Sequence, residues 1–441
     1  MTDGPQALTS TRLALAFETA GVRATAPTIY IIPGGKITPV STKTTEKRRV
    51  AGNRDPVFGV RGVESFKVSI PMMAIIEDNG LGNLLLATFG TDTPGSQLGS
   101  SDAYDHVFTA NDTIKSFTLW CWDTLDPQDI RMVLVDTMKL EVDKDKNQVL
   151  LTFDCIGADM ASSSTFGSAS YITSSQKANM IPAAQAILEY GQPQSNVSKF
   201  WEKITITSKE GPKFGANSKA AVPAGSASPL LCAKGERDTT IDIDFVDIDG
   251  IERKRWRQGG DTLPTASAQM DAQAATKFRL RLFGSQTKAA TSAIWGYAHQ
   301  ANTGTATVTW GGTYTVGLAD TPAQYELYIS TNGTPDKFKW RKNGGAWSAE
   351  VEITGAAQTL SDGVTVTFSS TSLSALNDTW FGFSHYQRMI EFTSPANVID
   401  EVSQKDSTDF YKSTAKLFYE GGPSDTKPGM VLRNTKVAAY T

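Results

Sequence analysis

Two stretches of this chain alternate apolar and polar residues in the same way. Gly62-Val-Glu-Ser-Phe-Lys-Val-Ser-Ile-Pro-Met72 and Gly235-Glu-Arg-Asp-Thr-Thr-Ile-Asp-Ile-Asp-Phe245 align without a gap. The period of two puts Val68, Ile70 and Met72, and likewise Ile241, Ile243 and Phe245, on one face of a strand. Repetition of this kind points to a duplicated β unit. With no catalytic constellation beside it, such a unit reads as a self-assembling building block rather than an enzyme.

Further elements extend the repeat. A short strand at Ile29-Tyr-Ile-Ile32 precedes a polar stretch that runs to Pro56, and Ile204-Thr-Ile-Thr207 precedes another that runs through Pro223. Unstructured connections of about 25 residues are uncommon inside compact domains, so both stretches are expected to be extended hairpin arms. Each repeat is expected to carry one short helix, the first ending Leu84-Leu-Leu-Ala-Thr-Phe before Gly90, the second at Ile248–Arg257 before Gly259. Phe117-Thr-Leu-Trp-Cys121 matches Phe278-Arg-Leu-Arg-Leu282. The first copy continues through strands at 132–135, 138–142 and 149–155, whereas the second resumes only at Met389-Ile-Glu-Phe392 and Ala415–Tyr419.

The interruption has its own vocabulary. Short strands such as Thr305–Trp310, Tyr325–Ile329, Val364–Phe368 and Trp380–Phe383 are divided by Gly311-Gly312, Asn332-Gly333, Asn343-Gly344-Gly345 and Asp362-Gly363, which predicts a small antiparallel sandwich. The expected fold is therefore mainly β, with a first domain over 1–172, a helical linker over 173–197 with its helix after Pro182, a discontinuous second domain over 198–284 and 387–441, and an inserted Ig-like β-sandwich over 285–386.

At 441 residues, 40% hydrophobic and 20% charged, the chain has ample material for several cores. No stretch approaches the ~18 apolar residues of a membrane span, and no membrane partner is expected. Cys121, Cys155 and Cys232 are widely spaced and read as reduced thiols. A net charge of −4 argues against a tight general DNA binder.

Candidate chemistry is sparse. Asp242, Asp244, Asp247 and Asp249 with Glu252 crowd carboxylates, but the first two alternate with isoleucines as a strand edge does. Asp143-Lys-Asp-Lys-Asn147 imitates part of a calcium loop and has Gln148 where that loop needs glycine, so a hairpin turn is expected. His106 has no serine or cysteine motif near it, and no Walker loop, Gly-x-Ser-x-Gly or His-Glu-x-x-His occurs. No catalytic residue, cofactor or metal site is expected. Lys47, Arg48 and Arg49, and Arg253–Arg257, are basic clusters suited to acidic groups on a neighbouring subunit. Trp310, Trp340, Trp347 and Trp380 offer either a sugar-stacking surface or the core of the insert.

In order, the polar arm, Phe58-Gly-Val-Arg-Gly62 and its strand, the helix ending at Gly90, Tyr104-Asp-His-Val-Phe108 and Phe117-Thr-Leu-Trp120 resemble the major tail tube proteins of long-tailed bacteriophages. Ile204 to Phe245 is similar to the second half of members with two tube domains. The resemblance implies a structural virion protein of the phage tail, assembled in the host cytoplasm, whose β-sandwiches join edge to edge into trimeric or hexameric rings. Stacked rings would form a channel through which DNA passes without specific contacts. Other tail proteins (tape measure, terminator and distal tail) are the implied partners. On this reading Lys67, Ser69, Asp242 and Asp244 face the lumen, where acidic walls would repel phosphates. Lys47, Arg48, Arg49, Arg54, Lys209 and Lys213 belong to inter-ring arms, and the insert lies outside. The rival readings are a distal tail, baseplate or adsorption protein whose insert binds a host glycan, and a carbohydrate-active enzyme, for which no carboxylate pair stands out.

Overall fold

The computed structural model describes residues 12–19, 22–31, 37, 39–48, 58–74, 79–97, 103–111, 115–122, 128–162, 181–183, 186–190, 201–214, 232–233, 236–247, 276–286, 294–298, 302–314, 323–383, 387–405, 411–420, 426–434 and 436–440. The described residues are mainly β. The first half contains β1 (Arg12–Phe17), β2 (Ile29–Ile31), β3 (Val40–Arg48), β4 (Phe58–Met73), α1 (Asn79–Phe89), β5 (Gly90–Gln97), β6 (Tyr104–Ala110), β7 (Phe117–Trp122), β8 (Gln128–Asp143), β9 (Gln148–Gly157) and β10 (Asp159–Ser162). The second half opens with β11 (Ala186–Tyr190), β12 (Trp201–Lys209), β13 (Lys213–Phe214), β14 (Cys232–Ala233), β15 (Asp238–Asp247) and β16 (Thr276–Gln286). Then come β17 (Trp295–Ala298), β18 (Val308–Gly312), β19 (Gln324–Thr331), β20 (Lys337–Lys342), β21 (Val351–Glu352), β22 (Gln358–Thr359), β23 (Val364–Phe368) and β24 (Thr379–Phe383). The second half closes with β25 (Gln387–Lys405), β26 (Tyr411–Tyr419) and β27 (Gly429–Asn434).

The ladders of the two halves correspond. β1 pairs β7 as β11 pairs β16, and β3 pairs β4 as β12 pairs β15. β4 pairs β9 as β15 pairs β26, and β8 pairs β9 as β25 pairs β26. β7–β8 matches β16–β25, and β10–β8 matches β27–β25. Even an irregularity recurs: the β8–β9 register slips between Val135 and Thr137, and the β25–β26 register slips between Ile399 and Glu401. The skipped residues are Asp136 and Asp400. A bulge bends its strand, and here the long β8 pairs β7 and β10 before it, β9 across it and β12 after it, while β25 pairs β16 and β27 along its first part and β26 along its second.

Two joints bind the halves. β8 pairs β12, and β6 pairs the C-terminal β27. One core cluster results, running from Leu13 and Val68 through Leu140 and Ile204 to Ile243, Phe278 and Leu417. The helix α1 is buried on every side, with Leu81, Leu84, Leu85 and Phe89 at 1% exposure or less, as expected of a helix that is apolar all round. Gly90 ends it with φ 90°, the conformation that makes glycine the usual residue after a helix.

Two expectations change. The residues Ala186–Tyr190, just beyond Pro182, are a strand of the second half and not the expected linker helix. Leu188 joins the main core while Ile187 packs on the other face, so burial on both sides erased the alternation that marks a strand. Ile204–Thr207 is also not the counterpart of Ile29–Ile32. It lies in β12 beside β15, the place β3 holds beside β4, whereas among the described residues β2 pairs only β1. The second expected helix, at Ile248–Arg257, lies outside the described residues.

Strands β17 to β24 form two sheets, β17-β24-β19-β20-β21 and β18-β23-β22. Their core holds Leu327, Ile329, Phe338, Val366, Phe368 and Trp380. Buried Asp336 accepts hydrogen bonds from the N–H groups of Gly333 at 2.9 Å and Ser374 at 3.1 Å. Asp378 accepts from those of Thr303, Gly304 and Ala375 at 2.9, 3.0 and 2.7 Å. These buried carboxylates accept the turn N–H groups and so fix the turns against the insert's core.

Candidate assembly surface

Because β8 pairs β12, a single sheet runs β3-β4-β9-β8-β12-β15-β26-β25 across both halves. Its inward face is apolar. The other face is polar, and one row across it reads Met73, Leu150, Glu141, Thr205, Asp242, Lys416 and Glu401, each opposite the next. Lys67, Ser69, Asp242 and Asp244 all project to this face, since they alternate with buried Val68, Ile70, Ile241 and Ile243.

The charges on this face interleave, and the expected acidic wall is replaced by a mixture of both signs. Lys139 and Lys203 reach Glu141 at 2.9 and 3.0 Å, and Lys412 reaches Glu202 at 2.8 Å. The Thr414 hydroxyl donates to Asp244 at 2.5 Å. Burial raises the carboxyl pKa of Asp242, opposed by Lys416 and reinforced by the like charge of Asp244. Burial also works against ionisation of Glu141, but the hydrogen bonds and charges of Lys139 and Lys203 outweigh it and hold the carboxyl below its usual range. Sequence patterning places the aspartates on the face; it does not show the cations, which arrive from β8, β12 and β26.

Both borders of this sheet lie among the described residues, and among those residues β3 pairs only β4 while the Asp400–Lys405 part of β25 pairs only β26. Val40 on β3 is 55% exposed. Beyond the sheet, β3 and β4 continue as a hairpin to Arg48 and Phe58, and Lys213–Phe214 pairs Cys232–Ala233 in the second arm. Lys47, Arg48 and Lys213 sit on these arm strands, and Lys209 ends β12 opposite Asp238. Arg49, Arg54 and Arg253–Arg257 lie outside the described residues, as do Asp249 and Glu252.

On the opposite layer, the inserted strands dock against β11 and β16. Phe381, Phe383 and Tyr297 pack with Ile187, Phe283 and Met389. Beneath Tyr297 lies a buried ionic cluster: Arg281, 1% exposed, pairs with Glu189 and donates to Glu391 at 2.7 Å. Burial would favour loss of the guanidinium proton, but Glu189 and Glu391 keep its pKa raised. Three of the four candidate tryptophans pack wholly or partly into the insert. Trp380 is 2% exposed, and Trp310 and Trp340 pack against the insert's cores. Trp347 is the most exposed of the four, edge-on to Tyr328 at 4.6 Å and under Arg341 at 4.3 Å.

The other candidates are structural. Lys144–Asn147 form the turn between β8 and β9, with the Lys146 N–H donating to Asp143 at 3.1 Å and Asn147 at φ 48°. His106 is fully buried between Asp92 at 3.1 Å and the Lys436 carbonyl at 2.8 Å. Among the described residues no group of three or more His, Cys, Asp or Glu could hold a metal ion.

Comparison with curated proteins gives no match. The profile of the family described as phage tail tube protein matches residues 9–294, more than half of the chain, and its match stops where the inserted strands begin. This mainly β chain, matched over that span, belongs to the phage tail tube protein family.

Proposed function

We propose that this chain is the repeating subunit of a tail tube, two tube domains (1–172, and 198–284 with 387–441) that close into rings through their sheet borders and stack into a channel for the genome. The observation that carries the reading is the eight-stranded sheet with one polar face, already continuous between the halves at β8–β12 and bordered by β3 and β25, which pair no further strand among the described residues. Exposed borders of this kind invite pairing, and ring closure satisfies them.

The polar face, with Lys67, Ser69, Asp242 and Asp244, lines the channel. Its alternating charges pair mainly with each other, which leaves little net field to hold phosphates. DNA therefore slides without specific contacts. The insert (285–386) covers the layer opposite this face, which is why it is placed on the outside of the tube. The two arms, carrying Lys47, Arg48, Arg49, Arg54, Lys209 and Lys213, meet the next ring, and the tape measure, terminator and distal tail proteins meet the tube's interior and ends. The protein resides in the virion tail after assembly in the host cytoplasm.

Negative-stain microscopy of the purified protein tests this directly. Tubes with a central channel are expected. Isolated rings that never stack would move the protein to a distal tail component, and a monomer at all concentrations would overturn the reading.

A further inference from the structure

Resting on that reading, we infer that neighbouring copies join by pairing β3 of one with the C-terminal part of β25 of the next, in the register already used inside the chain between β12 and β8. The internal repeat fixes the register residue by residue. Ser69 lies opposite Asp154, which lies opposite Thr137, just after the Asp136 bulge. In the second half Asp242 lies opposite Lys416, which lies opposite Glu401, just after the Asp400 bulge. Thr137 and Glu401 are therefore equivalent, and so are Lys139 and Ser403. Likewise Val40 lies opposite Lys67 as Thr207 lies opposite Thr240, which makes Val40 equivalent to Thr207 and Thr42 to Lys209. The buried Ile37 then corresponds to the buried Ile204, as one fold in two copies requires.

Within the chain Thr207 faces Lys139 and Lys209 faces Thr137. Transferred to two copies, Val40 faces Ser403 and Thr42 faces Glu401. The ladder inside the chain is extended at the bulge, where the Glu210 N–H donates to the Asp136 carbonyl at 2.7 Å. The equivalent bond between copies runs from the Lys43 N–H to the Asp400 carbonyl. A second copy is the fitting occupant because the border of β25 repeats the border of β8, bulge included, and β3 repeats β12. Each border therefore matches a strand that another copy carries.

Disulfide trapping tests the register. Paired residues on antiparallel strands have Cα atoms about 4.5–5.5 Å apart, inside the range a disulfide spans, whereas diagonal neighbours sit about 7–8 Å apart. With Cys232→Ser as background, Val40→Cys with Ser403→Cys should give reducible covalent oligomers of one closed size on a non-reducing gel. Yield at least tenfold above that of Val40→Cys with Glu401→Cys is expected. Thr207→Cys with Lys139→Cys should close the equivalent bridge within one chain and calibrates the reaction. Should the double variant not fold, mixing singly substituted Val40→Cys and Ser403→Cys proteins should give covalent dimers. Rings visible by microscopy in which the off-register pair links instead, or in which neither pair links while the internal control does, overturn the register alone. Absence of rings from the unsubstituted protein overturns the tube reading beneath it.

Discussion

The guanidinium of Arg281 lies 3.3 Å from the ring centroid of Tyr297, and this contact fastens β17 of the inserted strands to β16 of the second half. A cation held this way gains about 0.5–2 kcal/mol from the ring, more as water is excluded. The larger effect is ionic. Arg281→Met leaves Glu189, 2% exposed, without its main counter-charge, and should lower unfolding free energy by about 3–5 kcal/mol in chemical denaturation. Adding Glu189→Met should return most of that loss, because Glu391 then keeps Arg279 at 3.5 Å and no buried carboxylate is left unpaired. A double variant no more stable than Arg281→Met alone would show that the cluster contributes through packing.

Within the insert, Gly296 pairs Gly382 across two strands, and the indole of Trp310 lies over both. A Cβ on Gly382 would meet the Trp310 ring carbons at 2.3 Å, and one on Gly296 would meet its Nε1 at 2.1 Å. Gly382→Ala should therefore cost about 1–3 kcal/mol by forcing the indole aside. Limited proteolysis should then cut within 302–383 first, and wild-type resistance there would count against the seat.

Legibility in the sequence depends on the physics of each element. β4 and β15 are readable because each has one core face and one solvated face, which is the condition for clean alternation. β11 is not, since Ile187 and Leu188 are buried on opposite faces. The correspondence of β8 with β25 is obscured by the Asp136 and Asp400 bulges, which shift the apolar period midway. Asp242 and Asp244 can be placed on a polar face from their own strand alone. The lysines that share that face come from β8, β12 and β26, whose neighbours only the ladder reveals. The tryptophans of the insert are ambiguous because aromatic residues suit a sandwich core and a platform equally.

Acidification should separate two carboxylates of the polar face in the unassembled protein. Folding lowers the pKa of Glu141, so its stabilisation is complete above the unfolded value of about 4.3 and is lost as pH falls through the lower folded value. Folding raises that of Asp242, so its ionised form opposes folding at neutral pH and the penalty is relieved as pH falls through the raised value. Glu141→Gln should thus lose about 0.5–1 kcal/mol at pH 7, while Asp242→Asn should gain up to about 0.5 kcal/mol. Both differences should shrink well below pH 4 in urea titrations. A shift of the same sign for both would refute this division.

The C-terminal residues of the second half close over the first half through Tyr440, which is 3% exposed. Its ring meets His106 edge-on at 4.8 Å and Phe108 at 5.8 Å, its backbone N–H donates to Asp92 at 2.8 Å, and its hydroxyl accepts from the Asn434 amide at 2.6 Å. Packing and hydrogen bonding can be told apart. Tyr440→Phe keeps the ring and removes one neutral hydrogen bond, so about 1 kcal/mol should be lost. Tyr440→Ala opens a cavity against His106 and Phe108 and should lose about 3–5 kcal/mol. Because β6 and β27 pair just beneath, the alanine variant should also speed amide exchange in α1 and β6 together. Loss of protection in β27 alone would mean that the two halves open independently at this joint although β6 and β27 share a ladder.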